Sequence, residues 1–159
     1  MAKKISVGIA DMKIARQEGE LITYALGSCI GVAFYDPMIK LGALLHIMLP
    51  EKNQADSNVF KYADSGIRET LRKLYAFGAT KGRLVIKIAG GAKMFEMKGP
   101  GGLGNIGERN AQNVKRVLMM EGLRVVSEDT GANYARTMLL NVETGGVYIR
   151  SAGKPERQL

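Results

Sequence analysis

The chain has 159 residues, 46% of them hydrophobic, and a net charge of +8. This length and composition predict one globular domain, residues 1–159. The apolar runs are too short to cross a bilayer and no signal peptide is apparent, so we expect a cytoplasmic protein with no direct membrane insertion. The basic residues are scattered along the chain without a long block or an aromatic-rich RNA-binding motif, so an acidic protein surface is as compatible with this charge as nucleic acid, and we expect no nucleic-acid partner.

The hydrophobic pattern predicts short strands and two main helices. Apolar runs between turn signals indicate strands, and apolar residues three and four apart indicate helices that stop at Gly78 and Gly122. The polar segment 11–20 predicts a connection, residues 128–131 a turn, and the tail 151–159 a flexible end. The predicted strands are 5–9, 21–25, 30–35, 41–49, 83–89, 123–127, 137–142 and 146–150, and the predicted helices are about 58–77 and 108–121.

The order of these elements indicates the fold class. Consecutive early strands favour antiparallel pairing, and a helix between the strands at Val85 and Val125 indicates a crossover unit. The simplest architecture is an α+β fold, an α/β sandwich in which two helices pack on a mixed, largely antiparallel sheet.

The chain contains one cysteine, Cys29, and one histidine, His46. If the runs 21–26 and 41–49 pair as neighbouring antiparallel strands, the thiol and the imidazole lie close together. A thiol is mostly protonated near neutral pH and needs such a base to act as a nucleophile. Gly27 and Ser28 can place Cys29 on a tight turn whose backbone N–H groups stabilise an oxyanion.

A less active role for these two residues is equally compatible with their surroundings. A lone cysteine in an apolar run is most often a small buried hydrophobe, and a lone histidine there is most often a hydrogen-bonded core residue. One cysteine and one histidine do not form a zinc site, so we expect no metal.

A glycine-rich passage, Gly99 to Gly107, contains a formal match to the G-x-G-x-x-G pattern of dinucleotide-binding folds. The match is poor, because these glycines do not follow directly on the strand that ends near Gly90. The alternative is a loop that covers part of a site. No lysine of the P-loop type follows, and we expect no cofactor.

Eight short segments in a fixed order resemble the chemoreceptor glutamine deamidase CheD family. They extend over most of the chain, from about Val7 to Arg150, and together make a specific match. The segments are T-x5-C at 23–29, LGSC at 26–29, HIMLP at 46–50, KYAD at 61–64, KIAGGAKMF at 87–95, NIGERN at 105–110, SEDTGAN at 127–133 and NVETG at 141–145. The passage 98–103 departs from the family pattern, being longer and richer in glycine.

The resemblance implies a fold and chemistry similar to those of toxin-type glutamine deamidases. It implies a catalytic set of Cys29, His46 and Thr23, which hydrolyses receptor glutamines to glutamate through a thioester and releases ammonia. Thr23 would orient the imidazole through its hydroxyl or its backbone carbonyl. The implied partners are the cytoplasmic helices of chemoreceptors and a CheC-type phosphatase. A non-enzymatic chemotaxis adaptor that binds receptor or CheC is the alternative.

Overall fold

The computed structural model describes residues 3–53, 55–94 and 105–159 and arranges them in two five-stranded sheets and two α-helices. The predicted glycine-rich loop lies, up to residue 104, outside these residues. The strands are β1 Lys4–Ser6, β2 Asp11–Arg16, β3 Glu20–Leu26, β4 Ile30–Asp36, β5 Leu41–Ile47, β6 Val85–Gly90, β7 Val125–Thr130, β8 Arg136–Asn141, β9 Val147–Arg150 and β10 Arg157–Gln158. The helices are α1 Ala63–Ala76 and α2 Ile106–Met120, and short 3-10 turns occupy Val59–Lys61 and Lys81–Arg83.

Sheet 1 has the order β1-β3-β8-β9-β10, and sheet 2 has the order β2-β5-β4-β6-β7. The pairs β1–β3 and β6–β7 are parallel, and the other pairs are antiparallel. Helix α2 connects β6 to β7 as the predicted crossover. The α+β fold class with mixed, mostly antiparallel sheets is therefore confirmed.

The buried residues form two layers. The helix layer lies between sheet 2 and the helices, and the inter-sheet layer lies between the two sheets. Strand β4 alternates between them, because neighbouring side chains of a strand point to opposite faces. Val32 and Phe34 contact the helix layer, whereas Ala33 and Tyr35 contact the inter-sheet layer. A strand covered on both faces is apolar throughout, which explains the continuous hydrophobic run of β4.

The predicted connection 11–20 was wrong over its first part, because Asp11–Arg16 is the strand β2. It pairs with β5 along its whole length, from Asp11 opposite His46 to Arg16 opposite Leu41. Strand β2 is at the edge of sheet 2, where Lys13 and Arg16 are exposed to solvent. These polar residues concealed the strand pattern.

Strand β7 extends to Thr130, so the predicted turn at 128–131 was wrong over its first three residues. Its last residues are polar because they have partners: Lys115 Nζ lies 2.7 Å from Glu128 Oε1, and Arg136 Nε lies 3.1 Å from Asp129 Oδ1. Strand β7 is also an edge strand, which leaves room for these side chains.

The tail contains the two-residue strand β10, which pairs with β9. Lys87 Nζ also donates a hydrogen bond to the Leu159 carbonyl at 2.9 Å. Part of the tail is thus attached to sheet 1, and the flexibility of residues 151–159 stays a prediction.

Candidate active site

Residues 27–29 connect the two sheets. Leu26 ends β3 in sheet 1, and Ile30 begins β4 in sheet 2. The runs 21–26 and 41–49 were expected to pair as neighbouring strands. This was wrong, because the strands that they form, β3 and β5, belong to different sheets. Strand β4, which begins directly after Cys29, pairs with β5 instead. The Cys29 side chain is half-buried and packs against the inter-sheet layer.

The carbonyl groups of this turn are held by backbone donors. Ala92 N–H donates to Gly27 O at 2.8 Å, and Gly91 N–H donates to Cys29 O at 2.9 Å. Gly90 approaches the turn so closely that a Cβ atom on it would lie 2.1 Å from Cys29 O, and its φ is +114°. Only glycine fits at this position. The turn that contains Cys29 is thus held against the end of β6.

A bulge in β3 precedes the turn. The pairing of β3 with β8 shifts between Thr23 and Leu26, and Ala25 has a φ of 57°. A non-glycine residue in this region is strained, and such strain is often found at functional sites. The bulge lets the chain leave sheet 1 within a few residues of Thr23.

His46 lies on β5 and is fully buried. Its pairing partner on β4 is Gly31, and Cys29 comes two residues before Gly31, directly before β4 begins. Cys29 packs against the inter-sheet layer, so both side chains belong to the space between the two sheets. A Cβ atom on Gly31 would lie 2.7 Å from Met138 Sδ of sheet 1, so glycine allows the sheets to approach here.

Thr23 contacts His46 across the two sheets. Its Oγ1 lies 2.7 Å from His46 Nδ1 and 2.7 Å from the Val7 carbonyl oxygen. A carbonyl can only accept, so the single hydroxyl proton of Thr23 is donated to Val7. The hydroxyl then accepts from Nδ1–H, which leaves Nε2 without a proton. Thr23 was expected to orient the imidazole through its hydroxyl or its backbone carbonyl, and in the structure the hydroxyl contacts His46.

Both members of the predicted pair are uncharged in this arrangement. Burial lowers the pKa of His46 to about 4. Burial also raises the pKa of the Cys29 thiol, and its own backbone N–H offsets this only in part. Within the described part of the chain, His46 Nε2 has no hydrogen-bond partner, so the thiol does not donate to it here. Burial thus favours a neutral imidazole and a neutral thiol over a preformed ion pair.

Two polar groups at the site had no signal in the sequence. The Val7 carbonyl completes the hydrogen-bonded chain through Thr23 to His46. Asn110 of α2, which is fully buried, donates from Nδ2 to Ser28 O at 2.9 Å and to Met48 O at 2.8 Å. Asn110 belongs to the NIGERN segment, but its residue type alone does not indicate a contact so far along the chain.

Gly27 and Ser28, the predicted oxyanion-supporting residues of the turn, differ in whether their backbone N–H groups are already hydrogen-bonded. Gly27 N–H donates to Ala25 O at 3.0 Å and is occupied. The N–H groups of Ser28 and Cys29 donate to no backbone carbonyl among the residues that the structure describes, and the Cys29 N–H interacts with its own thiol. The turn therefore presents two N–H groups beside the Cys29 thiol.

A groove of about 690 Å³ lies next to this site, along the polar loop that follows β5. Its walls include Leu49, Tyr62 and Arg109, but none of the three predicted catalytic residues. Among the described residues, no group of three or more His, Cys, Asp and Glu side chains could hold a metal ion. No helix in that part of the chain is long and apolar enough to span a membrane.

The chain was compared with known proteins. A family model described as CheD chemotactic sensory transduction matches residues 48–151. A protein of Syntrophomonas wolfei named probable chemoreceptor glutamine deamidase CheD is 46% identical over 99% of both chains. Proteins with the same name from Moorella thermoacetica and Lachnoclostridium phytofermentans are 46% identical (96% of this chain, 93% of the relative) and 40% identical (100% of both). The family model begins after Cys29 and His46, whereas the relatives match across both.

Proposed function

The chain belongs to the CheD family, and we propose that it is an enzyme that deamidates glutamine side chains of chemotaxis receptors. The observation that carries the mechanism is the Val7–Thr23–His46 hydrogen-bonded chain, which leaves Nε2 of a buried, neutral imidazole as a free base. This base and the Cys29 thiol both belong to the space between the two sheets.

In the first half of the reaction, His46 Nε2 takes the proton of the Cys29 thiol while sulfur attacks the glutamine amide carbon. The carbonyl electrons move to oxygen, and the Ser28 and Cys29 N–H groups donate to this oxyanion. The tetrahedral intermediate collapses when the C–N bond breaks, and His46 returns its proton to the leaving nitrogen. Ammonia departs and a thioester remains on Cys29.

In the second half, water attacks the thioester and His46 takes one of its protons. The C–S bond then breaks, the proton passes to sulfur, and glutamate leaves. Throughout, Thr23 accepts from Nδ1–H and stabilises the imidazolium that forms in each half, the role of the third member of a catalytic triad. The mechanism proposed uses only side chains, backbone groups and water.

A pKa of about 4 makes His46 a weak base toward a thiol whose pKa is raised, so the proton transfer depends on the negative charge that develops beside the imidazole. At neutral pH a histidine with a pKa of about 4 is unprotonated and free to act as a base. Its affinity for the proton rises when the negatively charged thiolate or oxyanion forms beside it. The half-buried Cys29, at a turn between sheets, remains accessible to a glutamine side chain presented by a receptor helix.

The test is incubation of the protein with the cytoplasmic fragment of a chemoreceptor, followed by peptide mass spectrometry and an ammonia assay. Each deamidated glutamine gains about 1 Da, the amide-to-acid exchange of hydrolysis. Cys29→Ala and His46→Ala should each lower the rate by at least about 1000-fold, as loss of a nucleophile or its base does. Near-wild-type activity in Cys29→Ala would contradict the thiol mechanism, since the chain has one cysteine.

We also propose that a CheC-type phosphatase binds over the Cys29 turn and competes with receptor there. Binding should then slow both deamidation and alkylation of Cys29 by iodoacetamide, by similar factors at each phosphatase concentration. Because burial raises the pKa of this thiol, alkylation is best followed at about pH 8.5. An unchanged alkylation rate in the saturated complex would show that the phosphatase binds elsewhere. Receptors as substrates make the cytoplasm the expected location.

A further inference from the structure

We propose that Asn110 is a positioning residue for the deamidation step, an inference that rests on the proposed roles of Cys29 and His46. Asn110 lies on α2, away from the strands that carry those residues, and its side chain is fully buried. Its amide nitrogen donates to Ser28 O at 2.9 Å and to Met48 O at 2.8 Å. The Asn110 amide thus connects the turn that contains Cys29 to the chain that follows His46 on β5.

The two acceptor carbonyls lie where β4 and β5 separate. The last paired residues of this ladder are Ile30 and Ile47, so Ser28 and Met48 come just beyond it. Antiparallel strands that diverge lose the hydrogen bonds that fix their relative position. The Asn110 amide supplies two hydrogen bonds at this point and keeps the two backbones in register.

The contact with Ser28 also sets the direction of a predicted oxyanion donor. The Ser28 carbonyl and the Cys29 N–H belong to one planar peptide group, in which they point in opposite directions. Holding the carbonyl oxygen on Asn110 therefore directs the Cys29 N–H to the other side. Donors placed in advance in this way stabilise developing charge without reorganisation.

Packing alone does not explain an asparagine here. Asparagine is a weak helix former, and Asn110 lies within α2 rather than at its start. Its Oδ1 is buried and has no hydrogen-bond partner among the described residues, which is unfavourable for folding. An apolar residue at this position would favour both the helix and the folded state. Residues that reduce stability in this way are expected at functional sites.

The test is Asn110→Leu, which keeps the approximate volume and removes both donors. We expect kcat on the receptor fragment to fall by roughly 10- to 100-fold, the effect of a misplaced reacting group. KM should stay within about threefold, because a fully buried side chain does not contact substrate. In NMR spectra of the free protein, the amide resonances of Cys29 and Met48 should shift or broaden.

The matched control is Thr70→Val. Thr70 is a fully buried polar residue on the other helix, and its hydroxyl donates to Gly66 O within that helix. This substitution should leave both kcat and the Cys29 amide resonance unchanged. If Asn110→Leu does not unfold cooperatively, Asn110→Ala removes the same donors with less steric demand.

Wild-type kcat together with an unshifted Cys29 resonance in the Asn110 variants would overturn the positioning role. A loss of kcat that only follows the folded fraction, with the Cys29 resonance unshifted, would make Asn110 a structural residue and also overturn it. Full deamidation by Cys29→Ala would instead contradict the proposed function. Even then, the Cys29 and Met48 amide resonances of the Asn110 variants would show whether Asn110 positions these two segments.

Discussion

The helix layer and the inter-sheet layer both consist of buried side chains, but they differ in which groups they bury. The helix layer consists of apolar side chains from sheet 2, α1 and α2, and the buried polar residues of the two helices, Thr70 and Asn110, do not titrate. The inter-sheet layer has apolar residues too, but Thr23 and His46 are buried in it and Cys29 packs against its edge. A buried titratable group reduces stability unless its environment accommodates the neutral form. The molecule therefore separates the layer that chiefly stabilises it from the layer that carries the proposed chemistry.

The largest effect on stability is expected in the helix layer. Leu74 on α1 is fully buried, and Leu74→Ala should lower the free energy of unfolding by about 2–5 kcal/mol, from lost burial and the cavity left behind. The kcat of the folded fraction should not change. Denaturant unfolding and deamidation assays measure the two quantities. Met119→Ala, at a position 71% exposed on α2, is the control and should change neither. A large loss of kcat in folded Leu74→Ala would show that the layers are not separable.

The second prediction concerns the pH dependence that His46 gives to the inter-sheet layer. Its pKa is about 4 in the folded protein against an ordinary value of 6.5. Above pH 6.5 His46 is neutral in both the folded and the unfolded protein, so it does not make the free energy of unfolding depend on pH there. As the pH falls from 6.5 towards 4, the unfolded chain binds a proton that the folded protein does not, so stability decreases. The total loss is roughly 3 kcal/mol.

His46→Asn isolates this contribution, because the asparagine amide can still donate to Thr23 but does not titrate. The difference in unfolding free energy between the wild type and His46→Asn should change by roughly 3 kcal/mol between pH 7 and pH 4, in favour of the variant at low pH. Carboxylates such as Asp36 and Asp56, whose pKa values are also lowered, titrate in both proteins and cancel. A difference that does not vary with pH would show that His46 is hydrated rather than buried.

The smallest effect separates the hydroxyl of Thr23 from its shape. Thr23→Val keeps the β-branched shape but removes the acceptor of Nδ1–H, so we expect kcat to fall by roughly 10- to 100-fold. Thr23→Ser keeps the hydroxyl and should recover most of this activity. The pair is compared by steady-state kinetics on the same receptor fragment. Equal activity of the two variants would return the orienting role to the backbone carbonyl.

Much of the fold followed from local patterns in the sequence. The strands β3, β4, β5 and β6 and the two helices lie where alternation, helical periodicity and stop glycines predicted them. These elements are covered on at least one face, so burial imposes the pattern. Strands β2 and β7 are at the edges of sheet 2, where polar residues are tolerated, and local composition indicated a connection in place of β2 and a turn in place of the end of β7.

The site could be predicted only as a set of residue types. Cys29, His46 and Thr23 were identified by uniqueness and by family resemblance, and their roles remain proposals. Their spatial relation could not be predicted, because no local signal assigns β3 and β5 to different sheets. The Thr23–His46 contact spans the interior, and Asn110 reaches the turn from a helix 82 residues further along the chain. Long-range contacts of this kind are set by the whole fold.

The crossing of the chain from sheet 1 to sheet 2 at residues 27–29 has a consequence for biosynthesis. Cys29 and His46 belong to the turn and to sheet 2, whereas Thr23 lies on β3, which is completed in sheet 1 when it pairs with β8, as in the pairing of Leu21 with Leu140. Contacts this distant in sequence form late and slowly. A nascent chain that has not emerged past β8 therefore carries a thiol and an imidazole without the oriented base. Recovery of deamidase activity on refolding should accordingly lag behind recovery of secondary structure.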